Sequence, residues 1–476
     1  MSTIPQPILD TFQQRKKIEK NYIQLRKTKN NYYIYQATSK WNKQTKKPTK
    51  TTQLLGTITK DGTYKPKKQK TTHSTTKIYQ YGDTQLLLQL SKDIQQATEN
   101  LPYKNELLAL SIIRATNPTP IRLTQPTWTN TYTSTKIQAN LTQKNITQTL
   151  QTIGENIEET YNLFNNLTPQ GGMFFYDLTS ILTHSKKLLL AEKGYNPNWE
   201  NNKQIKIALA FSTHTYLPTA IDVFYGSMKE TKIIKYFLER FPNKDIGFIM
   251  DRGFTDYDML LDFKKKGVHY IAALRKNSTF LPSKMSMKGA FVYRKRNIGF
   301  SKVVLEGGYG FLYLFFDSKI RGEEENLLLG RVVEKKLSVD LFEAERELAG
   351  VFGVLSDLDV EPRVVFEQYK AREEIEQAFD FMKNDLEADR SCLGCDLAVR
   401  GFFVVVFLAM RLYFKILCRL HEKDLVGVVS VREVLYALSK MQMIVEVGGR
   451  EYLCALPKQT EEIFEIFKDL IPMVQN

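Results

Sequence analysis

Residues 367–390 read EQYKAREEIEQAFDFMKNDLEADR. No Pro or Gly interrupts them, and Glu, Ala, Lys, Arg and Met give up little freedom in a helix, so the stretch is predicted to be helical. At about 100° per residue, Tyr369, Arg372, Glu376 and Lys383 fall within roughly 60° of one another on that helix. Ile375, Phe379, Met382 and Leu386 form a separate apolar stripe that can seat it on a core. One face packs, while another displays a phenol, a guanidinium, a carboxylate and an ammonium. A carboxylate among phosphate-binding groups suits a metal-dependent enzyme acting on nucleic acid.

Two further acids stand in informative places upstream. Asp177 sits mid-strand in FFYDLTS, where an acid is unfavourable unless it is paired or ligates something. Asp251 ends the apolar strand IGFIMD, just before Arg252-Gly253, a location that ligand sites on open α/β sheets favour. Two strand acids and a helix Glu can converge and hold divalent metal through oxygen. Each acid also has a plain alternative. Asp177 could cap a turn or pair with a Lys, Asp251 could pair with Arg252, and Glu376 has Glu373 and Glu374 beside it. His73, His184, His214, His269 and His421 are scattered without ligand spacing. Cys392 and Cys395 form a CxxC with no second pair at zinc spacing, and Cys418 and Cys454 are isolated. The sequence contains neither a serine nucleophile elbow nor a P-loop.

A chain of 476 residues is long enough for two to four domains, and 42% hydrophobic content supplies real cores. The formal charge of +15, with a pI near 9.3, favours a polyanionic partner. Four cysteines do not make a disulfide framework, which points to a reducing, cytoplasmic setting. The N-terminus lacks the apolar run of a signal peptide. GFFVVVFLAM (401–410) stops at Arg411, too short to span a bilayer, and reads as a buried helix with no membrane partner.

Residues 31–66 read as a small β-meander in which Tyr32, Tyr33, Tyr35, Trp41 and Tyr64 interleave with Lys43, Lys46, Lys47, Lys50, Lys60 and Lys65. Lys67, Lys68 and Lys70 follow directly. Such interleaving suits DNA contact, and equally a solvated Lys-rich surface. Residues 84–115 and 143–166 read as helices, with Thr/Pro-rich loop or short strand between them. From about 172 the pattern is α/β, with strands in MFFYDLTSI, KLLLAEKGY, QIKIALAFS, IGFIM, VHYIAAL and VFGVLSDL. A Gly-, aromatic- and β-branched-rich stretch at 285–335 suggests antiparallel strands, and helices are expected to the C-terminus. Near residue 215 the composition shifts from Thr, Gln, Asn, Lys and Tyr to Gly, Val, Phe, Glu and Arg, without a physical explanation.

At these residues the chain resembles the insertion-sequence DDE transposases, in the group with the signature Y-x2-R-x3-E-x6-K. Tyr369, Arg372, Glu376 and Lys383 meet every spacing, FYDLTS and IMDRGF look like the motifs carrying the family's two Asp residues, and Gly226 in VFYGSM fits. The resemblance implies an α/β fold: a ribonuclease-H-like core interrupted by a β-strand insertion, a basic N-terminal DNA-binding region and a helical C-terminus. The corresponding division is 1–82 basic and β-rich, 83–168 helical, 169–280 first part of the core, 281–350 insertion, 351–420 second part of the core and 421–476 helical. It implies that Asp177, Asp251 and Glu376 are catalytic and hold two Mg²⁺ (or Mn²⁺) ions, with Tyr369, Arg372 and Lys383 on DNA phosphates. It further implies a prokaryotic, nucleoid-associated transposase that cuts element ends and joins the freed 3′-OH to target DNA, as a homodimer or larger synaptic complex on double-stranded DNA.

Two departures stand out. Relatives often carry Trp after the signature Arg, where this chain has Glu373, and some use an insertion Trp to stack a flipped base. Trp41, Trp128 and Trp199 all precede Asp251, leaving Tyr293 or Tyr309 for that task. The alternatives are a nuclease on the same fold without strand transfer and a catalytically inactive DNA-binding relic. A carboxylate-pair glycosidase explains neither the charge nor the Tyr/Arg/Lys face.

Overall fold

The computed structural model describes residues 4–19, 22–28, 31–42, 47–67, 76–183, 185–194, 203–239, 246–254, 256–386, 393–446 and 448–472. Lys43, Lys46, Lys68, Lys70, His73, His184, Trp199 and Cys392 lie outside the described residues, as do the side chains of Trp41, Lys47 and Lys50. The chain divides into two units, 1–76 and 77–476.

The first unit is a helix, α1 (Gln6–Ile18), and a four-stranded antiparallel sheet in sequential order. Its strands are β1 (Ile23–Thr28), β2 (Asn31–Asn42), β3 (Lys47–Ile58) and β4 (Tyr64–Pro66). Alternation along β2 buries Tyr32 and Ile34 against Ile8, Ile23 and Ile58, with Phe12 of α1 beside them. The helix itself goes beyond the sequence expectation. Ile8 is its one buried residue among those described, too narrow an apolar stripe to announce a helix.

The second unit opens with β5 (Lys77–Gln80) and a helical run. The run comprises α2 (Gly82–Leu90), α3 (Lys92–Ala97), α4 (Lys104–Thr116), α5 (Ile121–Thr129), α6 (Thr133–Lys136), α7 (Gln143–Glu155) and α8 (Ile157–Leu167). The Thr/Pro-rich segment expected as loop or short strand is thus about half helical, in α5 and α6. Pro120 sits at the N-cap of α5, and Pro126 is carried inside it because Thr124 and Trp128 are buried; tertiary packing overrides propensity here.

Next come β6 (Gly172–Leu182), β7 (Gln204–Ser212), β8 (Pro218–Tyr225), α9 (Glu230–Glu239), β9 (Ile246–Met250), α10 (Tyr257–Lys265) and β10 (His269–Ala273). The strands β11 (Gly289–Tyr293), β12 (Arg296–Leu305) and β13 (Gly310–Asp317) precede the helices α11 (Ser318–Val333) and α12 (Val339–Arg346) and the strand β14 (Val351–Ser356). All these strands make one nine-stranded sheet, ordered β11-β12-β13-β14-β10-β9-β6-β7-β8. β7 pairs antiparallel with both β8 and β6, β6, β9 and β10 run parallel, and β14 to β11 return with each neighbouring pair antiparallel. The segment expected as a β insertion therefore extends the same sheet, and its latter part is helical. KLLLAEKGY, expected as a strand, makes only the isolated bridge Glu192–Gln204 among its described residues.

α13 (Pro362–Lys370), α14 (Glu373–Asp380) and the 27-residue α15 (Asp396–Glu422) follow, then α16 (Val431–Leu438), β15 (Gln442–Val445), β16 (Glu451–Leu453) and α17 (Lys458–Phe467). β15 and β16 form a small sheet with β5, a departure from the all-helical C-terminus expected. Strands of four and three residues are too short to show a period. α15 is apolar and long enough to cross a membrane, yet 72% of its most apolar window is buried inside the fold, against α4, α7 and β8. The buried Arg411 ends that run because it is paired: its guanidinium donates to Asp93 Oδ2 (3.1 Å) and to the Pro218 carbonyl (2.9 Å).

Candidate functional site

Asp177 and Asp251 become neighbours through strand register. β6 pairs in parallel with β9, Phe175 opposite Ile249, and two more residues along put Asp177 level with Asp251, the first residue beyond β9. β9 is buried along its whole length, so the acid is presented where the apolar strand ends. α14 packs against β6 with Ile375 and Ala378 buried, and leaves Glu376 exposed beside Arg372.

Arg372 ties the arrangement together. One guanidinium nitrogen lies 2.7 Å from Asp251 Oδ2 and the other 2.5 Å from Glu376 Oε1. Burial alone would lower its pKa, but Asp251, Tyr369 and Glu376 around it raise the pKa above the ordinary value. The Tyr369 ring is buried, with the Arg372 guanidinium 5.9 Å from its centroid. Burial pushes its phenol up, aided by Asp251 and opposed by Arg372 and Arg252.

Asp177 behaves differently from an exposed acid. Burial raises its pKa to about 7; the Leu178 N–H (2.8 Å) and Arg372 oppose the rise, and the charges of Asp251 and Glu376 add to it. A carboxyl that binds its proton more tightly folded than unfolded stabilises the fold fully below its unfolded pKa, and that contribution is lost as pH rises through about 7. In chelator, then, Asp177→Asn should gain on wild type as pH goes from 5 to 8, read as a widening difference in melting temperature. A pH-independent difference would show that folding does not raise the pKa of Asp177.

The helix expected over 367–390 is in fact broken. α13 ends at Lys370, Ala371 and Arg372 form a turn, and α14 restarts at Glu373. Beyond it, residues Phe381–Asp385 wind as a π turn, with Leu386 N–H donating to the Phe381 carbonyl at 3.1 Å. The four signature side chains therefore do not share a continuous helical face. Arg372 and Glu376 meet Asp251, and Tyr369 backs Arg372. Lys383 is half-buried on the π turn, and among the described residues no ion pair reaches it.

Sequence reasoning missed Arg275, which follows β10. Its Nε donates to the Arg252 carbonyl at 3.1 Å, and Nη2 lies 3.5 Å from the Gly253 carbonyl, pinning the turn after Asp251. An Arg just past a strand parallel to the one bearing the acid was the available signal. A cavity of about 310 Å³ opens beside Asp251, lined by Arg252, Phe352, Tyr369, Lys370 and Arg372. Tyr293 and Tyr309 do not line it: the first packs on Phe366 and the second on Tyr257 and Phe280.

Among the described residues no group of three His, Cys, Asp or Glu stands at metal-holding distance, since Arg372 lies between two of the three acids. The donor set nevertheless fits a hard divalent cation: carboxylate oxygens only, from three acids close enough that the charges of Asp251 and Glu376 both act on Asp177.

Acids on two parallel strands and a helix, gathered around one Arg, define a three-carboxylate site on a mixed α/β sheet. The family model described as Transposase DDE domain matches residues 169–412, just over half of the chain, and the chain belongs to that family. No curated protein matches it in sequence. Among solved structures it is similar to the piggyBac transposase in a synaptic complex with hairpin DNA, at TM-score 0.41 and 11% identity over 84% of this chain and 83% of that one. That likeness is too slight to bear on mechanism.

Proposed function

We propose that this transposase binds the ends of a prokaryotic mobile element, cleaves them by metal-dependent hydrolysis and joins the freed 3′-OH to target DNA. The observation that carries the reading is the meeting of Asp177, Asp251 and Glu376 around Arg372 at the C-terminal end of β9. The order β8-β7-β6-β9-β10, three antiparallel strands followed by two parallel to the first, supports a ribonuclease-H-like core.

Asp177, Asp251 and Glu376 would hold two Mg²⁺ (or Mn²⁺) ions, which supply activation of the attacking oxygen and stabilisation of the leaving one. The remaining work falls to the chain's own residues. Arg372, a planar fork already facing two carboxylates, can exchange one for a backbone phosphate beside the cut. Tyr369 fixes that fork from behind, Arg275 fixes the turn that carries Asp251, and Lys383 offers a point charge. Hydrolysis breaks a P–O3′ bond and leaves a 3′-OH. In the second step that hydroxyl attacks a target phosphate and expels the target's own 3′ oxygen. Catalysis takes place in the cytoplasm, on double-stranded DNA, in a homodimer or larger synaptic complex.

The test uses the full chain, a duplex ending in the element's terminal repeat, and a supercoiled target plasmid with Mg²⁺ or Mn²⁺. Specific 3′-OH ends, part of them joined to the plasmid, are expected. Cutting without joining would replace this reading by a nuclease on the same fold. Tight binding without cutting would make the chain an inactive relic.

A further inference from the structure

The chain's net positive charge falls almost wholly in its first unit. Residues 1–76 hold 17 Lys and Arg against Asp10, Glu19 and Asp61, a formal +14 of the chain's +15. The remaining 400 residues are close to neutral. A polyanion attracted by net charge is therefore attracted to the small first unit.

Among the unit's described residues, α1 covers one sheet face and no element covers the other. Tyr32, Ile34 and Ile58 face α1, where Arg15 also stacks on Tyr64 at 3.8 Å. The opposite face carries a row in strict register across all four strands: Arg26 opposite Tyr33, Tyr33 opposite Thr57, Thr57 opposite Lys65. Arg26 and Lys65, at the two ends, are exposed. Beside the row Tyr35 lies opposite Gln24, with the Arg26 guanidinium 4.9 Å from the Tyr35 ring centroid.

Strand spacing decides what this row fits. Three gaps of about 4.8 Å make the row about 14 Å from end to end. The B-DNA major groove is about 12 Å wide and admits a two-stranded ribbon. With β2 and β3 in the groove, Tyr33 and Thr57 face base edges, and Arg26 and Lys65 land on the two phosphate walls.

We propose that this uncovered face is a major-groove reader of duplex DNA, with Arg26 and Lys65 as phosphate clamps and Tyr33 and Thr57 as base-contacting residues. It rests on the reading of the chain as a protein that acts on element ends, and it says which surface recognises them. The A-form groove of duplex RNA is too narrow and deep for the same docking.

The test measures binding of the intact chain, in chelator so that nothing is cut, to a fluorescent terminal-repeat duplex and to a scrambled one. Arg26→Ala with Lys65→Ala should weaken both duplexes alike and lower the slope of log affinity against log salt by about 2. Tyr33→Ala with Thr57→Ala should instead reduce the preference for the repeat, at least tenfold, while leaving the salt slope unchanged. Lys16→Ala with Lys17→Ala on α1 is the control of equal charge loss, and should lower the salt slope by less than half as much. If the wild type prefers the repeat and both face variants bind as it does, the face assignment fails and the transposase reading stands. Equal losses from the α1 pair would reduce the face to unspecific charge and overturn the proposal. A wild type that binds neither duplex would overturn both.

Discussion

Asp251→Asn should bind the element-end duplex as wild type does and cleave it on the order of 10³–10⁴-fold more slowly, a loss of about 4–5.5 kcal/mol from the transition state. The substitution keeps shape and removes only the negative charge that a cation would meet. Glu376→Gln should do the same, because the two acids share Arg372 and serve one site. Neither change should unfold the protein. The Asp251 and Glu376 side chains are 37% and 53% exposed, and pairs at that exposure contribute about 0–1 kcal/mol each. Unchanged melting temperature and binding, with cleavage lost, is the signature of a catalytic group. Glu367→Gln on α13 removes a comparable helix carboxylate, one that pairs only with Arg363 among the described residues, and should cut normally. Wild-type cleavage by Asp251→Asn would place the active site elsewhere in the chain.

What made the site legible in the sequence was local. Asp177 announced itself by following the apolar run Met173–Tyr176 inside β6, and Asp251 by ending the apolar, fully buried β9, both places where a charge is costly. What remained hidden was set by contacts distant in sequence. The break at Ala371–Arg372 falls in a stretch of good helix formers, where no local residue calls for it. It sits where Arg372 reaches Asp251, 121 positions away in the chain. The π turn at Phe381–Asp385 adds a residue to one turn, so spacings counted at 3.6 residues drift past Glu376. The helix α5, with its internal Pro126, is likewise fixed by burial of Trp128 rather than by propensity. A reading by periodicity finds the residues of such a site more readily than the angle at which each is presented.

The largest effect on stability should come from a single methyl far from the site. In isolation Gly401→Ala favours α15 by about 1 kcal/mol, since Ala is the better helix former. Packing reverses the sign. A Cβ at Gly401 would lie 2.0 Å from the Leu150 carbonyl oxygen of α7, and one at Gly154 on α7 would lie 1.9 Å from the Leu397 carbonyl oxygen of α15. The two glycines let the helix backbones touch, and the atoms met are main chain, so no rotamer change relieves the clash. The helices must move apart, loosening Leu150, Ile153, Val404 and Val405, all buried in the main core. Overpacking of this kind costs about 3 kcal/mol, leaving a net loss of about 2 kcal/mol, and Gly401→Leu should abolish folding. Urea unfolding of Gly401→Ala and Gly154→Ala, singly and together, tests the account. Because the first methyl already separates the helices, the double variant should lose less than the sum of the two singles. An unchanged or raised unfolding midpoint for Gly401→Ala would mean that α7 and α15 do not cross in contact and that propensity alone governs the position.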